Sequence, residues 1–197
     1  YNNRGFSKYN LQDYQGAIAD YSKAIELDPN YSYAYLNRGV SKKKLQDYQG
    51  AIADYSKAIE LNPNDSEGYN NRGLSKFNLQ DYQGAIADYS KVIQLNPNDS
   101  EAYYNRGISK DNLQDYKGAI ADYSKAIELD PNDSGCYVGR GLSKDGLEDY
   151  KGAIADFSKA IELDPNDSEA YNNRGLSKAD LQDYKGAIVD YSKAIEL

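Results

Sequence analysis

The side chains that carry most enzymatic chemistry are scarce in this sequence. It contains no histidine and a single cysteine, Cys136. Acid/base catalysis by histidine, zinc sites of histidine and cysteine, and an intramolecular disulfide are therefore excluded. The remaining carboxylates, lysines and tyrosines recur at equivalent positions and form no unique constellation. We predict a non-enzymatic protein with no cofactor and no metal; the compartment stays open, with the cytoplasm slightly favoured.

One side chain with binding chemistry recurs at a fixed spacing. Asparagine precedes Arg-Gly five times, and an amide can both donate to and accept from an extended peptide backbone. We name these five residues the asparagine ladder: Asn3, Asn37, Asn71, Asn105 and Asn173. The alternative is that each amide braces a neighbouring repeat, and the sequence leaves both roles open.

The charge balance limits the kinds of partner. The chain has 31 acidic and 23 basic residues, a formal net charge of −8. It lacks the basic stripe that provides most of the affinity of nucleic-acid binders, so no nucleic-acid partner is predicted. No apolar run approaches the roughly 20 residues that span a bilayer, so no membrane partner is predicted either.

Internal repetition is the main signal for the fold. Successive copies of the Asn-Arg-Gly tripeptide, including the variant Gly139-Arg140-Gly141, are 34 residues apart. The spacing predicts a single array over residues 1–197 without linkers. Its six repeats are residues 1–31, 32–65, 66–99, 100–133, 134–167 and 168–197.

Each repeat has the pattern of a helical hairpin, with residues 100–133 as the reference. Apolar residues in its second half follow the spacing of one face of an α-helix, which Asp115 is placed to cap and Pro131 to end. This predicted core stripe is Tyr116, Ala119, Ile120, Tyr123, Ala126 and Ile127.

A preceding helix is predicted to begin at a capping box of Asn98 and Glu101. The same pairing recurs at Asn64 and Glu67 and at Asn166 and Glu169. A short turn through Gln114 and Asp115 forces the two helices to be antiparallel. One hairpin cannot bury its apolar face alone, so the hairpins are expected to stack into a superhelix.

At this point the chain resembles the tetratricopeptide repeat family over its whole length. The family pattern W-x2-L-G-x2-Y…A-x3-F…A…P falls in the reference repeat on Tyr103, Arg106, Gly107, Lys110, Ala119, Tyr123, Ala126 and Pro131. The resemblance implies an all-α fold, an αα-hairpin superhelix of six tandem 34-residue repeats. It also implies that the first helices line a concave groove in which partner peptides bind.

Two departures from the family pattern recur in every repeat. Arg106 stands where the family usually has leucine, and Lys110 where it usually has tyrosine. Because a charge on the face toward the second helix is costly unless paired, we predict that Arg106 pairs with Asp122 or Asp115. The alternative is an arginine ladder that grips phosphate or carboxylate ligands.

The remaining face of the first helix carries the candidate binding positions. In the reference repeat it has Tyr104 and Asn105, beside an apolar position that is Phe6, Val40, Leu74, Ile108, Leu142 or Leu176 along the chain. This apolar row fits either a groove floor or, slightly better, inter-repeat packing. Specificity is expected from positions that vary, which include Tyr9, Lys43, Phe77, Tyr104 and Asp111.

Charge also varies along this face. The second repeat carries Lys42, Lys43 and Lys44, whereas later repeats carry Asp111, Asp145 and Asp180. Basic residues of a bound segment are therefore expected toward the fourth to sixth repeats, unless these charges are only a solvated face.

The fifth repeat departs most from the others. It has Gly135, Cys136, Gly139 and Gly146 where the other repeats have larger or better helix-forming residues. Glycine inside a helix costs up to ~1 kcal/mol relative to alanine. We expect this repeat to be the softest, through sequence drift or because a ligand backbone approaches closely.

Two functions are consistent with these patterns. The first is a scaffold that holds a protein or an extended peptide in the groove. The second is a structural protein that forms homo-oligomers through exposed end repeats.

Overall fold

The computed structural model describes all residues, Tyr1–Leu197, as twelve α-helices without a β-strand. They form two compact units, Tyr1–Pro97 and Asn98–Leu197. The first unit contains α1 (Asn2–Asn10), α2 (Tyr14–Leu27), α3 (Ser32–Lys44), α4 (Tyr48–Leu61), α5 (Ser66–Asn78) and α6 (Tyr82–Leu95). The second contains α7 (Ser100–Asp111), α8 (Tyr116–Leu129), α9 (Ser134–Asp145), α10 (Tyr150–Leu163), α11 (Ser168–Asp180) and α12 (Tyr184–Glu196). The predicted all-α class of tandem helical hairpins is confirmed, and one array over residues 1–197 stays a prediction.

The turn inside each hairpin is built from the two residues that the sequence analysis identified. Gln114 has φ 60°, the left-handed region, which reverses the chain after α7. Asp115 then caps α8, and its carboxylate accepts a hydrogen bond from the Gly118 amide at 3.1 Å. The same backbone reversal occurs at Gln12, Gln46, Gln80, Glu148 and Gln182.

The predicted capping boxes at the first helices are wrong by one residue. Asp99, not Asn98, caps α7, and its carboxylate accepts from the Ala102 amide at 3.0 Å. Asp65 and Asp167 act in the same way on α5 and α11. A carboxylate is favoured at a helix N-terminus by the helix dipole as well as by the hydrogen bond.

In the first five hairpins the core consists of one large aromatic ring between small side chains, mostly alanines, whereas in the last hairpin the equivalent Tyr191 is only half-buried. On α8, Ala119, Tyr123 and Ala126 are buried, whereas Tyr116, Ile120 and Ile127 are only half-buried. The buried stripe is therefore narrower than the predicted one, because three of its six residues are only half-buried. Gly107 makes this arrangement possible, because a Cβ atom there would lie 2.9 Å from Cε1 of Tyr123.

A buried aspartate with two basic partners lies between the helices of every hairpin. In the third hairpin Asp88 accepts from Nη2 of Arg72 at 2.7 Å and from Nζ of Lys76 at 2.8 Å. We call this arrangement the Arg–Asp–Lys cluster. Its other copies are Arg4–Asp20–Lys8, Arg38–Asp54–Lys42, Arg106–Asp122–Lys110, Arg140–Asp156–Lys144 and Arg174–Asp190–Lys178.

These clusters show which of the two predicted aspartates is the partner of Arg106. Asp122 pairs with Arg106, through Nε at 2.9 Å and Nη2 at 2.6 Å. Asp115, the alternative partner, is wrong because its carboxylate caps α8. In the last copy, burial by itself would raise the pKa of Asp190, but hydrogen bonds from Arg174 and Lys178 outweigh it and hold the pKa below its usual value.

Within each unit, the arginine also ties a hairpin to the one before it. In the first unit, Nη1 of Arg38 donates to Oγ of Ser22 at 3.0 Å, and the guanidinium lies 5.6 Å from the centre of the Tyr35 ring. Three of its nitrogens are thus used inside the protein. The alternative of an arginine ladder that grips ligands is therefore wrong.

We predict that Asp88→Ala destabilises the protein by about 3–5 kcal/mol, because it leaves Arg72 and Lys76 without their buried counter-charge. Chemical denaturation followed by circular dichroism measures the effect. The control is Lys57→Ala, which removes an exposed pair with Glu60 and should cost at most about 1 kcal/mol. Equal costs for the two variants would contradict a stabilising role for the cluster.

Candidate functional site

The first helices of successive hairpins lie side by side within each unit. In the first unit α3 contacts α1 and α5, and in the second unit α9 contacts α7 and α11. In each unit, we call the surface formed by these helices the first-helix face. All candidate binding residues identified from the sequence lie on these helices.

The asparagine ladder is not uniform in the structure. Asn3 is exposed, and the other four members are half-buried. Oδ1 of Asn71 accepts from Nζ of Lys43 at 2.6 Å, and its Nδ2 donates to the Glu67 carbonyl at 3.1 Å. Asn71 therefore braces the preceding hairpin through one of the predicted specificity residues.

Lys43 is held in this contact rather than extended into solvent. Burial first, and the neighbouring Lys44 second, lower the pKa of Lys43 from its usual value. Lys42 belongs to an Arg–Asp–Lys cluster, in which its Nζ lies 2.8 Å from Asp54. Two of the three lysines of this run are thus engaged within the protein.

The first unit has a small hollow on its first-helix face. It has a volume of about 240 Å³ and includes two predicted residues, Tyr9 and Asn37. The ring of Tyr9 packs at 5.4 Å from that of Tyr14. The complete lining is Phe6, Tyr9, Tyr21, Asn37, Val40 and Glu67.

The second unit has a larger hollow of about 430 Å³, which we call the second-unit hollow. It brings together the predicted residues Tyr104 and Asp111. Its lining is Tyr104, Ile108, Asp111, Asn112, Tyr123, Gly135, Val138, Gly139, Leu142, Asp167 and Glu169. Six of these match the first hollow three repeats earlier: Ile108 with Phe6, Asp111 with Tyr9, Tyr123 with Tyr21, Gly139 with Asn37, Leu142 with Val40, and Glu169 with Glu67.

Asp111 is the centre of a polar network in this hollow. Its Oδ2 accepts from the Tyr123 hydroxyl at 2.8 Å, and its Oδ1 accepts from Oγ of Ser143 in the next hairpin at 2.7 Å. Burial raises the pKa of Asp111, although both hydrogen bonds act in the opposite direction. Burial and the adjacent Asp111 also raise the pKa of Tyr123, which keeps its hydroxyl a donor.

Several side chains of the apolar row are exposed to solvent, which side chains of an inter-repeat core would not be. Phe6 is 55% exposed and Leu142 is 44% exposed, and each lines one of the two hollows. Leu74 and Leu176 are also exposed, whereas Val40 is half-buried against the core of its hairpin. The interpretation as an inter-repeat core is therefore wrong for the exposed members, because they stand on the open side of the first helices.

Some predicted residues are not gathered into either hollow. Phe77 packs at 5.3 Å from the ring of Tyr82, and Asn105 is half-buried outside both linings. Asn3 is exposed, and Nδ2 of Asn173 is buried without a hydrogen-bond partner. For these four residues, a role in binding stays a prediction.

Tyr123 and Glu169 line the second-unit hollow, although the sequence predicts neither as a binding residue. Tyr123 was assigned to the core, where most of its ring lies, and Glu169 to a capping box. The available signal was Gly139, the variant of the asparagine ladder. A Cβ atom there would lie 2.6 Å from Cζ of Tyr123, so the ring of this tyrosine occupies the place of a side chain at position 139.

No group of three or more His, Cys, Asp or Glu residues in Tyr1–Leu197 is placed to hold a metal ion. None of the twelve helices is long and apolar enough to cross a membrane. The first-helix faces offer amides, exposed apolar side chains and carboxylates.

Two equivalent tyrosines test the polar network. The Tyr55 hydroxyl is buried without a hydrogen-bond partner, whereas the Tyr123 hydroxyl bonds to Asp111. We predict that Tyr55→Phe leaves the free energy of unfolding unchanged or raises it, and that Tyr123→Phe lowers it by about 1 kcal/mol. Urea denaturation of both variants measures the difference, and Phe157 shows that the position accepts phenylalanine. Identical shifts would mean that the bond to Asp111 adds no stability.

Comparisons with solved structures agree with this architecture. Residues 41 to the end of MamA from Desulfovibrio magneticus RS-1 are 27% identical, with a TM-score of 0.81 over 84% of this chain and 94% of that chain. YrrB, described as a TPR protein with an unusual peptide-binding site, is 24% identical, with a TM-score of 0.77 over 89% of this chain and 91% of that chain. A tetratricopeptide repeat protein from Parabacteroides merdae is 21% identical, with a TM-score of 0.85 over 98% of this chain and 77% of that chain. The last two likenesses concern the fold alone.

No curated protein matches the sequence. Family models do match it over most of its length. A model described as the tetratricopeptide repeat matches residues 1–31, 32–65, 66–99 and 100–133. A TPR repeat model matches residues 147–182, and a further tetratricopeptide repeat model matches residues 168–197. With the hairpins and their 34-residue period, these matches show that the chain belongs to the tetratricopeptide repeat family.

Proposed function

We propose that this chain is a scaffold that holds an extended segment of a partner protein on the first-helix face. Tetratricopeptide repeats are in general protein-interaction scaffolds and are typically non-enzymatic. The observation that carries the proposal is the combination of amide and exposed apolar side chains on this face. Examples are Asn37 beside Phe6 in one hollow, and Asn112 beside Leu142 in the other.

The opposite helices offer a poorer surface for a specific partner. The exposed side chains of α4 and α8 include the ion pairs Lys57–Glu60 and Lys125–Glu128, each at 2.7 Å. The two members of each pair lie three residues apart on one helix and neutralise each other's charge. Exposed pairs of this kind contribute little to recognition unless a partner displaces them.

An extended segment matches the polar groups of the first-helix face. A peptide backbone presents N–H and C=O groups that need partners when they leave water, and an asparagine amide supplies both. The apolar row provides area for alternate side chains of the same segment. Asn71 is the member of the ladder least suited to this role, because its amide already bonds to Lys43 and Glu67.

We predict that replacing Asn37 and Asn105 by alanine reduces the capture of partner proteins from the source lysate. Each lost amide contact is expected to weaken binding by about two- to tenfold. The matched control is Lys57→Ala with Lys125→Ala on the second helices, and circular dichroism checks that all variants are folded. Equal capture by the asparagine variant and the wild type would contradict the proposed face, and loss only in the lysine variant would move the site to the second helices.

A second candidate function, self-association, is favoured by one surface. Ile195 of α12 is 85% exposed, whereas the equivalent Ile161 of α10 is 8% exposed because α11 packs on that helix. Ile188 and Val189 of α12 are also more than half exposed. A second copy of the chain that packs on this helix would bury the same kind of apolar area.

Sedimentation velocity over a range of protein concentrations tests self-association. We expect the sedimentation coefficient to rise with concentration for the chain 1–197 and to stop rising for Ile195→Glu. The control Ile161→Val changes an already covered position and should leave association unchanged. A coefficient that is independent of concentration in the unaltered chain would remove this candidate.

A further inference from the structure

We infer that the second-unit hollow receives a lysine or arginine side chain of the bound protein segment. The inference rests on the proposed function, which it makes more specific by naming the chemistry that one site accepts. It is carried by the shape of the hollow, by its aromatic walls and by the charge of its rim.

Two glycines of the fifth repeat border the hollow, and tyrosine side chains pack against both of them. Gly139 replaces the asparagine that lines the smaller hollow as Asn37, and Gly135 lies within the lining at the start of α9. The Tyr123 ring lies where a Cβ atom of residue 139 would be, and the second-unit hollow still has a volume of about 430 Å³, against about 240 Å³ in the first unit. A long side chain therefore has space in the second unit that its counterpart in the first unit does not offer.

The walls are suited to a cationic head group on an apolar stem. The rings of Tyr104 and Tyr123 are 5.9 Å apart and tilted by 57°. Aromatic rings attract ammonium and guanidinium groups to their faces. The aliphatic lining residues Ile108, Val138 and Leu142 offer apolar contact to the methylene groups of lysine or arginine.

The charge of the lining has one sign. Asp111, Asp167 and Glu169 line the hollow, and no lysine or arginine does. Asp167 caps α11 by accepting from the Ala170 amide, and Asp111 accepts from two hydroxyl groups, neither of which carries a positive charge. Glu169 is exposed at the rim. A basic side chain is therefore attracted, whereas an acidic one is repelled.

The first unit provides a natural comparison at the same register. There Tyr9 replaces Asp111, Asn37 replaces Gly139, and Glu67 is the one carboxylate of the lining. If general acidity of the protein attracted basic segments, both hollows would act alike. The inference instead assigns the preference to the second-unit hollow.

Selection from a random-peptide display library tests the inference with the full chain 1–197. We expect the selected peptides to share a lysine or arginine at one fixed position. Replacing that residue by norleucine, which keeps the apolar stem, is expected to weaken binding by about three- to tenfold in fluorescence anisotropy.

Three variants then locate the basic residue. Glu169→Gln removes the charge at the rim, and Gly139→Asn introduces a Cβ atom that displaces the Tyr123 ring from the wall. Each is expected to remove most of the difference between the lysine or arginine peptide and its norleucine analogue. Glu67→Gln, the equivalent change in the first unit, is expected to preserve it. Circular dichroism confirms that the variants are folded.

The possible outcomes separate this inference from the proposed function. Peptides that bind without a basic residue, or whose preference for one survives Glu169→Gln and Gly139→Asn, would overturn the inference and leave the scaffold function standing. If the folded chain selects no peptides at all, the proposed peptide-binding function fails, and the inference fails with it.

Discussion

The burial of one aspartate in each hairpin is the constraint on which the rest of the structure depends. The Asp88 side chain is 4% exposed, and a carboxylate in that position is strongly unfavourable unless cations and hydrogen bonds replace its water. Arg72 and Lys76, one helical turn apart on α5, provide both. Because the arginine also bonds to Ser56 of the preceding hairpin, one charged group fixes both the register of its own helices and the register of its neighbour.

Because of this constraint, the two faces of each first helix have different roles. The face toward the second helix is occupied by the arginine, the lysine and a glycine such as Gly73, against which the Tyr89 ring packs. The asparagine ladder and the apolar row consequently lie on the other face, beside the neighbouring first helices. Residues on that face take no part in the Arg–Asp–Lys cluster, so they can vary while the cluster stays intact.

The fold was predictable from the sequence because the period, the turn residues and the helical spacing all agreed. The pairing of Arg106 with Asp122 was also predictable, since a charge on a buried face requires a counter-charge. The helix caps were misplaced by one residue because Asn98 and Asp99 are both good caps, and only the backbone shows which one flanks the helix.

The contents of the site were less predictable, because they depend on contacts between repeats. Lys43 meets Asn71 across 28 residues, and Asp111 meets Ser143 across 32 residues. Neither contact can be predicted from the spacing of residues within one helix. Each depends on how far a first helix is displaced from its neighbour. Gly139 distinguishes the second-unit hollow in the sequence, but only the structure shows that the Tyr123 ring packs against this glycine.

One variable position on the first helices illustrates how the repeats acquire different surfaces. Lys43 and Asp111 occupy equivalent places, and so does Tyr9, yet the three make an amide contact, two hydroxyl contacts and an aromatic contact. The same side chain thus both connects neighbouring elements and sets the chemistry of the adjacent surface. A substitution that changes recognition at this position must also replace a packing or hydrogen-bonding contact. The hairpin tolerates such a substitution because the buried Arg–Asp–Lys cluster holds its two helices together independently of the residue at the variable position.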